Sequence, residues 1–196
     1  MSVVLASISA ARRRLLEDAG VEFETIAPAC NEEAAKQRLR TESKSPRAQA
    51  EALATLKARS VSGPAGALVI GADQMLAIDG ATLDKPRHRD EAREQLRLLR
   101  GRTHELITAA AVVRNEVVVW RATDTPRLTM RNFSDAFLDR YLDRAGDAAL
   151  HAVGAYQLEG LGAQLFERVE GDYFSVLGLP LLPLLSFLRE QGELPA

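Results

Sequence analysis

The amino-acid sequence predicts an α/β protein in which helices flank a mixed central sheet. Short apolar runs of the length of buried strands alternate along the chain with amphipathic stretches of helical period. Two-residue turn signals between some of these runs predict hairpins, in which neighbouring strands are antiparallel. We therefore do not expect a purely parallel sheet. The chain has 196 residues, the length of one ordinary domain. We therefore expect a single domain over residues 1–196.

The first elements are predicted to be a strand, a helix and a second strand. Val3–Ala6 is an apolar run typical of a buried strand. The hydroxyl groups of Ser7–Ser9 can cap a helix over about residues 10–19, which Gly20 ends. The alternating pattern of Val21–Ile26 then predicts the second strand.

The middle of the chain contains the clearest strand and hairpin signals. Ala67–Ile70 is a continuous apolar run, typical of a strand buried on both faces, and it delivers Asp73 to its end. Asp79–Gly80 is a strong hairpin signal between two apolar segments, residues 75–78 and 81–83. The remaining predicted elements are helices over about residues 48–60, 89–99, 134–145 and 181–191, and strands over about residues 106–114, 117–122 and 164–169.

Composition excludes several classes of protein. The net charge of −2 leaves no basic footprint for nucleic acid. The apolar stretch Val176–Leu188 is broken by Gly178, Pro180 and Pro183 and is shorter than the roughly 20 residues of a membrane helix. The single cysteine, Cys30, cannot form an internal disulfide, which fits a reducing compartment. We expect a cytoplasmic protein with no nucleic-acid or membrane partner.

Basic residues cluster at the start of the first predicted helix. The free N–H groups and the positive dipole end of a helix attract phosphate, and the guanidinium groups of Arg12 and Arg13 would add forked donors that match phosphate oxygens. A solvated basic helix face with an ordinary serine cap explains the same residues equally well. This segment alone leaves both interpretations open.

The sequence supports a functional role for three further charged residues to different degrees. A carboxylate at the end of a buried strand, as predicted for Asp73, can hold Mg²⁺ or polarise a water molecule. A helix cap or a turn cap is the alternative, but Asp79–Gly80 already supplies the turn, so we favour the functional interpretation. Lys85 follows the hairpin and could neutralise phosphoryl charge, yet by itself it is better explained as a surface lysine. The same holds for Lys57 on the helix predicted over residues 48–60.

The segment Gly154–Gly162 is rich in glycine but lacks the spacing of a phosphate-binding loop. It could bring Glu159 to a ligand, and an irregular structural turn is an equally good interpretation. His88, His104 and His151 are not spaced as metal ligands.

Several short motifs follow one another along nearly the whole chain. They are Leu5–Ser9 with Arg12–Arg13, Leu53–Ala54 with Lys57–Ala58, Gly71–Asp73, Asp84–Pro86, Gly101 with His104, Gly154–Tyr156, and Glu170–Tyr173 with Val176–Pro180. In this order the motifs resemble the Maf family of nucleoside triphosphate pyrophosphatases. The resemblance implies a two-lobed fold similar to inosine triphosphate pyrophosphatase, with a central cleft, and a homodimer. It also implies hydrolysis of a nucleoside triphosphate to the monophosphate and diphosphate.

The resemblance assigns roles to residues of this chain. Asp73 would accept the proton, and Glu32 together with Asp73 would hold Mg²⁺ or Mn²⁺. The residues implied to bind the triphosphate are Ser9, Arg12, Arg13, Lys57 and Lys85. Two alternatives stay open: a nucleotide-binding regulator of cell division with little turnover, and a nonspecific phosphatase.

Three positions depart from the commonest family pattern and are expected to set base specificity. Gln74 and Glu159 resemble the branch of the family that acts on 7-methylguanosine triphosphate, and a carboxylate there can balance a cationic methylated ring. Ala11 stands where that branch has an aromatic residue, so a stacking partner for the base is missing.

Overall fold

The computed structural model describes residues 2–195 as a mixed α/β fold. The strands are β1 (Val3–Ala6), β2 (Glu24–Ile26), β3 (Leu68–Ile78), β4 (Ala81–Leu83), β5 (Thr103–Arg114), β6 (Val117–Asp124), β7 (Arg127–Met130) and β8 (Phe166–Glu170). The helices are α1 (Ala10–Asp18), α2 (Glu32–Thr41), α3 (Pro46–Arg59), α4 (Arg89–Leu99), α5 (Asp135–Ala145), α6 (Tyr173–Val176) and α7 (Leu181–Glu190). Short 3-10 turns lie between α5 and β8.

The sheet combines parallel and antiparallel neighbours, which confirms the predicted fold class. Its order is β2-β1-β3-β5-β7-β8, with β4 beside β3 and β6 beside β5. Strand β1 runs parallel to both β2 and β3. The pairs of β3 with β4, of β5 with β6 and β7, and of β7 with β8 are antiparallel.

The chain divides into two compact units. The first contains residues 2–74, 107–124 and 178–195, with β1, β2, β6, α1, α2, α3 and α7. The second contains residues 75–106 and 125–177, with β4, β7, β8, α4, α5 and α6. Strands β3 and β5 each contribute residues to both units.

In the first unit, α3 lies unusually close to β3 because residue 71 has no side chain. A Cβ atom on Gly71 would lie 2.2 Å from the carbonyl oxygen of Ala54 and 2.6 Å from the backbone nitrogen of Ala58. Such distances are far inside van der Waals contact, so only glycine permits this approach. The close approach sets the distance between Lys57 on α3 and Asp73 on β3.

The core of the second unit contains a buried histidine and tyrosine. His104 Nε2 and the Tyr156 hydroxyl are 2.7 Å apart, and both rings pack against Phe166. Burial lowers the pKa of His104 to about 4 and raises the pKa of Tyr156 well above its ordinary value. The histidine is therefore neutral in the folded protein at physiological pH.

This pair leads to a prediction about acid stability. Below pH 6.5 the unfolded chain protonates His104, whereas the folded chain resists protonation down to about pH 4. The contribution of neutral His104 to the free energy of unfolding should therefore be fully present above about pH 6.5. It should fall by about 3 kcal/mol as the pH drops to 4. Urea unfolding at several pH values measures this loss.

The matched variants for this experiment are His104→Gln, in which an amide can still bond to Tyr156, and His151→Gln on the surface. Between pH 6.5 and 4 the free energy of unfolding of His104→Gln should change with pH less steeply than that of the wild type, by the uptake of about one proton on unfolding. His151→Gln should keep it. If His104→Gln retains the wild-type slope, the buried histidine is not its source.

The prediction that Asp73 terminates a strand is wrong. Strand β3 runs without a break from Leu68 to Ile78, so Asp73 lies in its interior. The segments 67–70 and 75–78 were predicted as separate strands, but residues 68–70 and 75–78 belong to this one strand. The polar residues between them interrupt the apolar pattern, but their side chains find buried partners, so the backbone stays extended.

Other element boundaries also differ from the prediction. Val21–Ile26 forms a strand only over Glu24–Ile26. Helix α2 was not predicted, because only Leu39 of its residues is buried and an apolar stripe is therefore missing. Strand β7 and the single-turn helix α6 were also missed. No helix found within residues 2–195 combines the length and the apolar character needed to cross a bilayer.

Candidate active site

Three charged side chains of the first unit form a cluster around Asp73. The Asp73 Oδ1 atom accepts a hydrogen bond of 2.6 Å from the Nζ atom of Lys57. The same Nζ atom lies 2.8 Å from Oε2 of Glu32. One ammonium group therefore bridges two carboxylates that come from different elements, β3 and α2.

The two residues at the centre of this cluster are almost fully enclosed. Asp73 is 4% exposed and Lys57 is 8% exposed. The prediction that Lys57 on its own is a solvated surface lysine is therefore wrong. The second carboxylate oxygen of Asp73, Oδ2, is buried and has no hydrogen-bond partner among the described residues. A buried charged oxygen of this kind is costly unless something binds to it, so it marks a place where a proton or a cation can be received.

A fourth charged residue, Lys36, completes the carboxylate side of the cluster. Its Nζ atom lies 3.0 Å from Oε1 of Glu32, four residues earlier on α2. Burial raises the pKa of the Glu32 carboxyl, but the charges and hydrogen bonds of Lys57 and Lys36 outweigh it and bring that pKa to about 2. Glu32 is thus ionised throughout the physiological range.

Local sequence explains why these helices start where they do. Asn31 caps α2 through a hydrogen bond of 3.0 Å from the backbone nitrogen of Ala34 to its side chain. Ser45 caps α3 in the same way, with Pro46 at the first helical position. The caps fix the first turn of each helix, and with it the direction in which Glu32 projects.

Arg12 on α1 joins the cluster from a third direction. Its Nε atom donates to the carbonyl oxygen of Gly178 at 2.8 Å, and its Nη1 atom donates to that of Ala72 at 2.9 Å. Burial lowers the pKa of the Arg12 guanidinium, and the charges of Asp73 and Glu32 oppose this shift. Its Nη2 atom has no hydrogen-bond partner among residues 2–195 and can still donate to a ligand.

The cluster sets basic side chains beside carboxylates. Arg12, Lys57 and Lys36 are the basic residues, and Asp73 and Glu32 are the acidic ones. Guanidinium and ammonium groups donate strong hydrogen bonds to phosphate oxygens, and a carboxylate next to them can receive a proton or a cation. The chemistry that suits the cluster is therefore the binding of phosphate groups beside a carboxylate.

The other residues predicted on α1 lie outside the cluster. The Arg13 guanidinium forms an exposed ion pair of 3.5 Å with Glu17, so in this structure it does not contact Asp73. Ser9 is the helix cap, and its hydroxyl oxygen accepts from the backbone nitrogen of Arg12 at 3.4 Å. Ala11 is half-buried in the first turn of the helix.

The residues predicted to choose the base are placed in both units. Gln74 follows Asp73 on β3, and its amide nitrogen donates to the hydroxyl of the fully buried Thr108 at 2.8 Å. Glu159 is exposed in a turn of the second unit. Lys85 is also exposed in the second unit, in a loop whose Asp84 carbonyl accepts a bond from α4. The structure places these residues without testing their roles.

Sequence reasoning missed Lys36. The signal that could have found it is the spacing of four residues from Glu32, which on a helix brings a glutamate and a lysine together. That signal has meaning only where a helix is predicted, and α2 was not. The backbone carbonyl partners of Arg12 have no sequence signal at all.

Carboxylates set among basic side chains in an α/β fold suit a protein that handles phosphate groups. The family model described as "Maf-like protein" matches residues 2–191, so this chain belongs to that family. The resemblance described above is thereby confirmed.

Relatives of nearly equal length support the same assignment. The chain is 56% identical over 192 residues to a "Nucleoside triphosphate pyrophosphatase" of Paramagnetospirillum magneticum, covering 97% of this chain and 99% of the relative. It is 53% identical over 193 residues to a protein of the same name from Rhodospirillum rubrum, covering 98% and 96%. It is 51% identical over 195 residues to a "7-methyl-GTP pyrophosphatase" of Rhizobium meliloti, covering 99% and 98%.

Proposed function

We propose that this protein is a nucleoside triphosphate pyrophosphatase, which hydrolyses a nucleoside triphosphate to the monophosphate and diphosphate. The observation that carries the proposal is the Oδ2 atom of Asp73, which has no hydrogen-bond partner among the described residues and lies beside the basic side chains of Lys57 and Arg12. The names of relatives about half identical over the whole chain favour an acid-anhydride hydrolase in the same way. Those names speak for turnover and not for a regulator of cell division.

Asp73 acts as the proton acceptor in this proposal. A water molecule attacks the α-phosphorus, its proton passes to Oδ2 of Asp73, and the bond from the α-phosphorus to the bridging oxygen breaks. The electron pair of that bond leaves with the diphosphate. General base catalysis by a positioned carboxylate contributes about 10²–10⁴-fold to a rate.

Basic residues offset the charge of the triphosphate and of the departing diphosphate. Lys57 and Arg12 are already at the cluster, and the free Nη2 of Arg12 can donate to a phosphate oxygen. Ser9, Arg13 and Lys85 are proposed as further phosphate ligands from the family resemblance. Removal of one such charge typically costs about 2.7–4 kcal/mol of transition-state stabilisation.

The carboxylates of the cluster also fit a divalent cation, Mg²⁺ or Mn²⁺. Magnesium is usually held by one or two carboxylates together with water and substrate phosphates, and not by a full protein cage. The residues that would hold it are Asp73 and Glu32, whose carboxylates lie close enough together to share the ammonium of Lys57. Such a cation would polarise the phosphate oxygens that it contacts.

The preferred base is a further part of the proposal. We propose 7-methylguanosine triphosphate as one candidate substrate, with Ala11, Gln74 and Glu159 as the residues that select the base. The relative named "7-methyl-GTP pyrophosphatase" supports this choice.

The compartment and the oligomeric state are also proposals. We place the enzyme in the cytoplasm, where nucleoside triphosphates are made and where Cys30 would stay reduced. We propose that it forms a homodimer, which analytical ultracentrifugation can test.

The test is a product assay with canonical and methylated triphosphates at varied Mg²⁺ and Mn²⁺. With an inorganic pyrophosphatase added as coupling enzyme, phosphate should appear at a rate above the control without it. Release of phosphate without the coupling enzyme would instead identify a nonspecific phosphatase. Tight nucleotide binding without product across the whole panel would overturn the proposal and favour the regulator.

A further inference from the structure

The Lys57 ammonium makes contact with both carboxylates that the proposed function assigns to the divalent cation. Its Nζ atom is 2.6 Å from Asp73 and 2.8 Å from Glu32. A magnesium or manganese ion bound to the same two residues would occupy this space. Its double positive charge would then lie against the positive charge of the Lys57 ammonium. The lysine and the cation are therefore competitors for one pair of ligands.

The outcome of this competition depends on what Lys57 can bind after it is displaced. Lys57 is 8% exposed, and the only polar partners of its ammonium group among the described residues are Asp73 and Glu32. A buried ammonium without a partner is strongly unfavourable, so a cation that arrives alone has to displace Lys57 at a large loss. A triphosphate removes that loss because its oxygens offer the ammonium new acceptors.

We propose that the resting enzyme discriminates against the free divalent cation and accepts its substrate as the preformed metal–nucleotide complex. In this exchange Lys57 leaves the two carboxylates for a phosphate oxygen while the cation takes its place. Lys36 keeps its ion pair with Oε1 of Glu32, the oxygen that does not contact Lys57, and so holds that side chain in position. The inference rests on the proposed function, and it deepens that proposal by naming the form of the substrate.

The first experiment measures the binding of Mn²⁺ to the nucleotide-free protein, by calorimetry and by the loss of the free-ion electron paramagnetic resonance signal. The wild-type protein should bind Mn²⁺ weakly at the cluster. Lys57→Met should bind it at least tenfold more tightly, because two carboxylates are left without their ammonium. A shift of the thermal midpoint on addition of Mn²⁺ should likewise be larger in the variant.

Lys36→Met is the matched control, because it removes the same charge next to Glu32 without vacating the position between the carboxylates. Its gain in Mn²⁺ affinity should be at least fivefold smaller than that of Lys57→Met. Lys44→Met, on the exposed surface, should change nothing. Lys57→Gln, which retains a neutral donor and much of the side-chain volume, repeats the test if the methionine variant does not fold.

Two results would overturn the inference. One is wild-type binding of free Mn²⁺ as tight as that of Lys57→Met, and the other is an equal gain in Lys36→Met. Steady-state rates separate this failure from failure of the proposed function. Pyrophosphate release together with tight Mn²⁺ binding by the resting wild type sinks the inference alone, whereas absence of release across the substrate panel sinks the proposed function, whatever the metal affinities.

Discussion

Replacement of Asp73 with asparagine is expected to lower kcat by about a thousandfold and to leave the fold intact, within the range of a lost general base. The amide of Asp73→Asn has nearly the shape of the carboxyl group, and its carbonyl oxygen can still accept the hydrogen bond from Lys57. It cannot take a proton from water at neutral pH. Steady-state pyrophosphate release gives the rate, and circular dichroism with thermal unfolding reports the fold.

The control for this experiment is Asp18→Asn. Asp18 is exposed at the end of α1, and within residues 2–195 its only ion pair is with Arg14. Its replacement should therefore leave kcat and KM within a factor of two of the wild-type values. The analogue with a methylene group between the α- and β-phosphorus should still bind to Asp73→Asn. A folded Asp73→Asn protein with more than a tenth of the wild-type turnover would show that another group accepts the proton.

Gly71→Ala is expected to destabilise the protein by about 3 kcal/mol or more, at the upper end of what an overpacked core site shows. The new methyl carbon would overlap the carbonyl oxygen of Ala54 and the backbone nitrogen of Ala58, and neither backbone atom can rotate away. Helix α3 would have to move off the sheet. Urea unfolding measures the loss.

The same substitution should also reduce turnover in whatever fraction stays folded. Lys57 lies on α3, so displacement of the helix would lengthen the hydrogen bond from its Nζ atom to Asp73. Gly160→Ala serves as the stability control, since a Cβ atom there meets nothing closer than 3.9 Å and its φ of −127° lies outside the left-handed region that favours glycine. A Gly71→Ala protein that loses less than about 1 kcal/mol would contradict the close packing of α3 on β3.

The elements predicted well are those whose pattern is local and strong. Helix α4 has a clear apolar stripe, α5 begins at its serine cap, and α7 begins after Pro180 with Pro183 in its first turn. The predicted bounds of all three agree with the structure within about two residues. The hairpin at Asp79–Gly80 was also predicted correctly. Each of these signals is contained in a window of a few residues.

Strand β3 and helix α2 show where local patterns fail. Both carry polar residues that a window of sequence interprets as a break or a loop, among them Asp73 in the strand and Glu32 in the helix. These two carboxylates are tolerated because Lys57, on another element, pairs with both of them. The partner of Asp73 lies sixteen residues away on another element, beyond the reach of any periodicity.

The sequence by itself determined the α/β class, most of the helices and, through the order of its motifs, the family and the set of charged residues to consider. Only the tertiary structure decided that Lys57 is buried between two carboxylates, that Lys36 belongs to the same cluster, and that Arg12 is anchored on backbone carbonyls while Arg13 is not. The physical reason is that propensity, capping and hydrophobic period act over a few neighbouring residues. Charge pairing and burial depend on which distant segments the fold brings within a few ångströms.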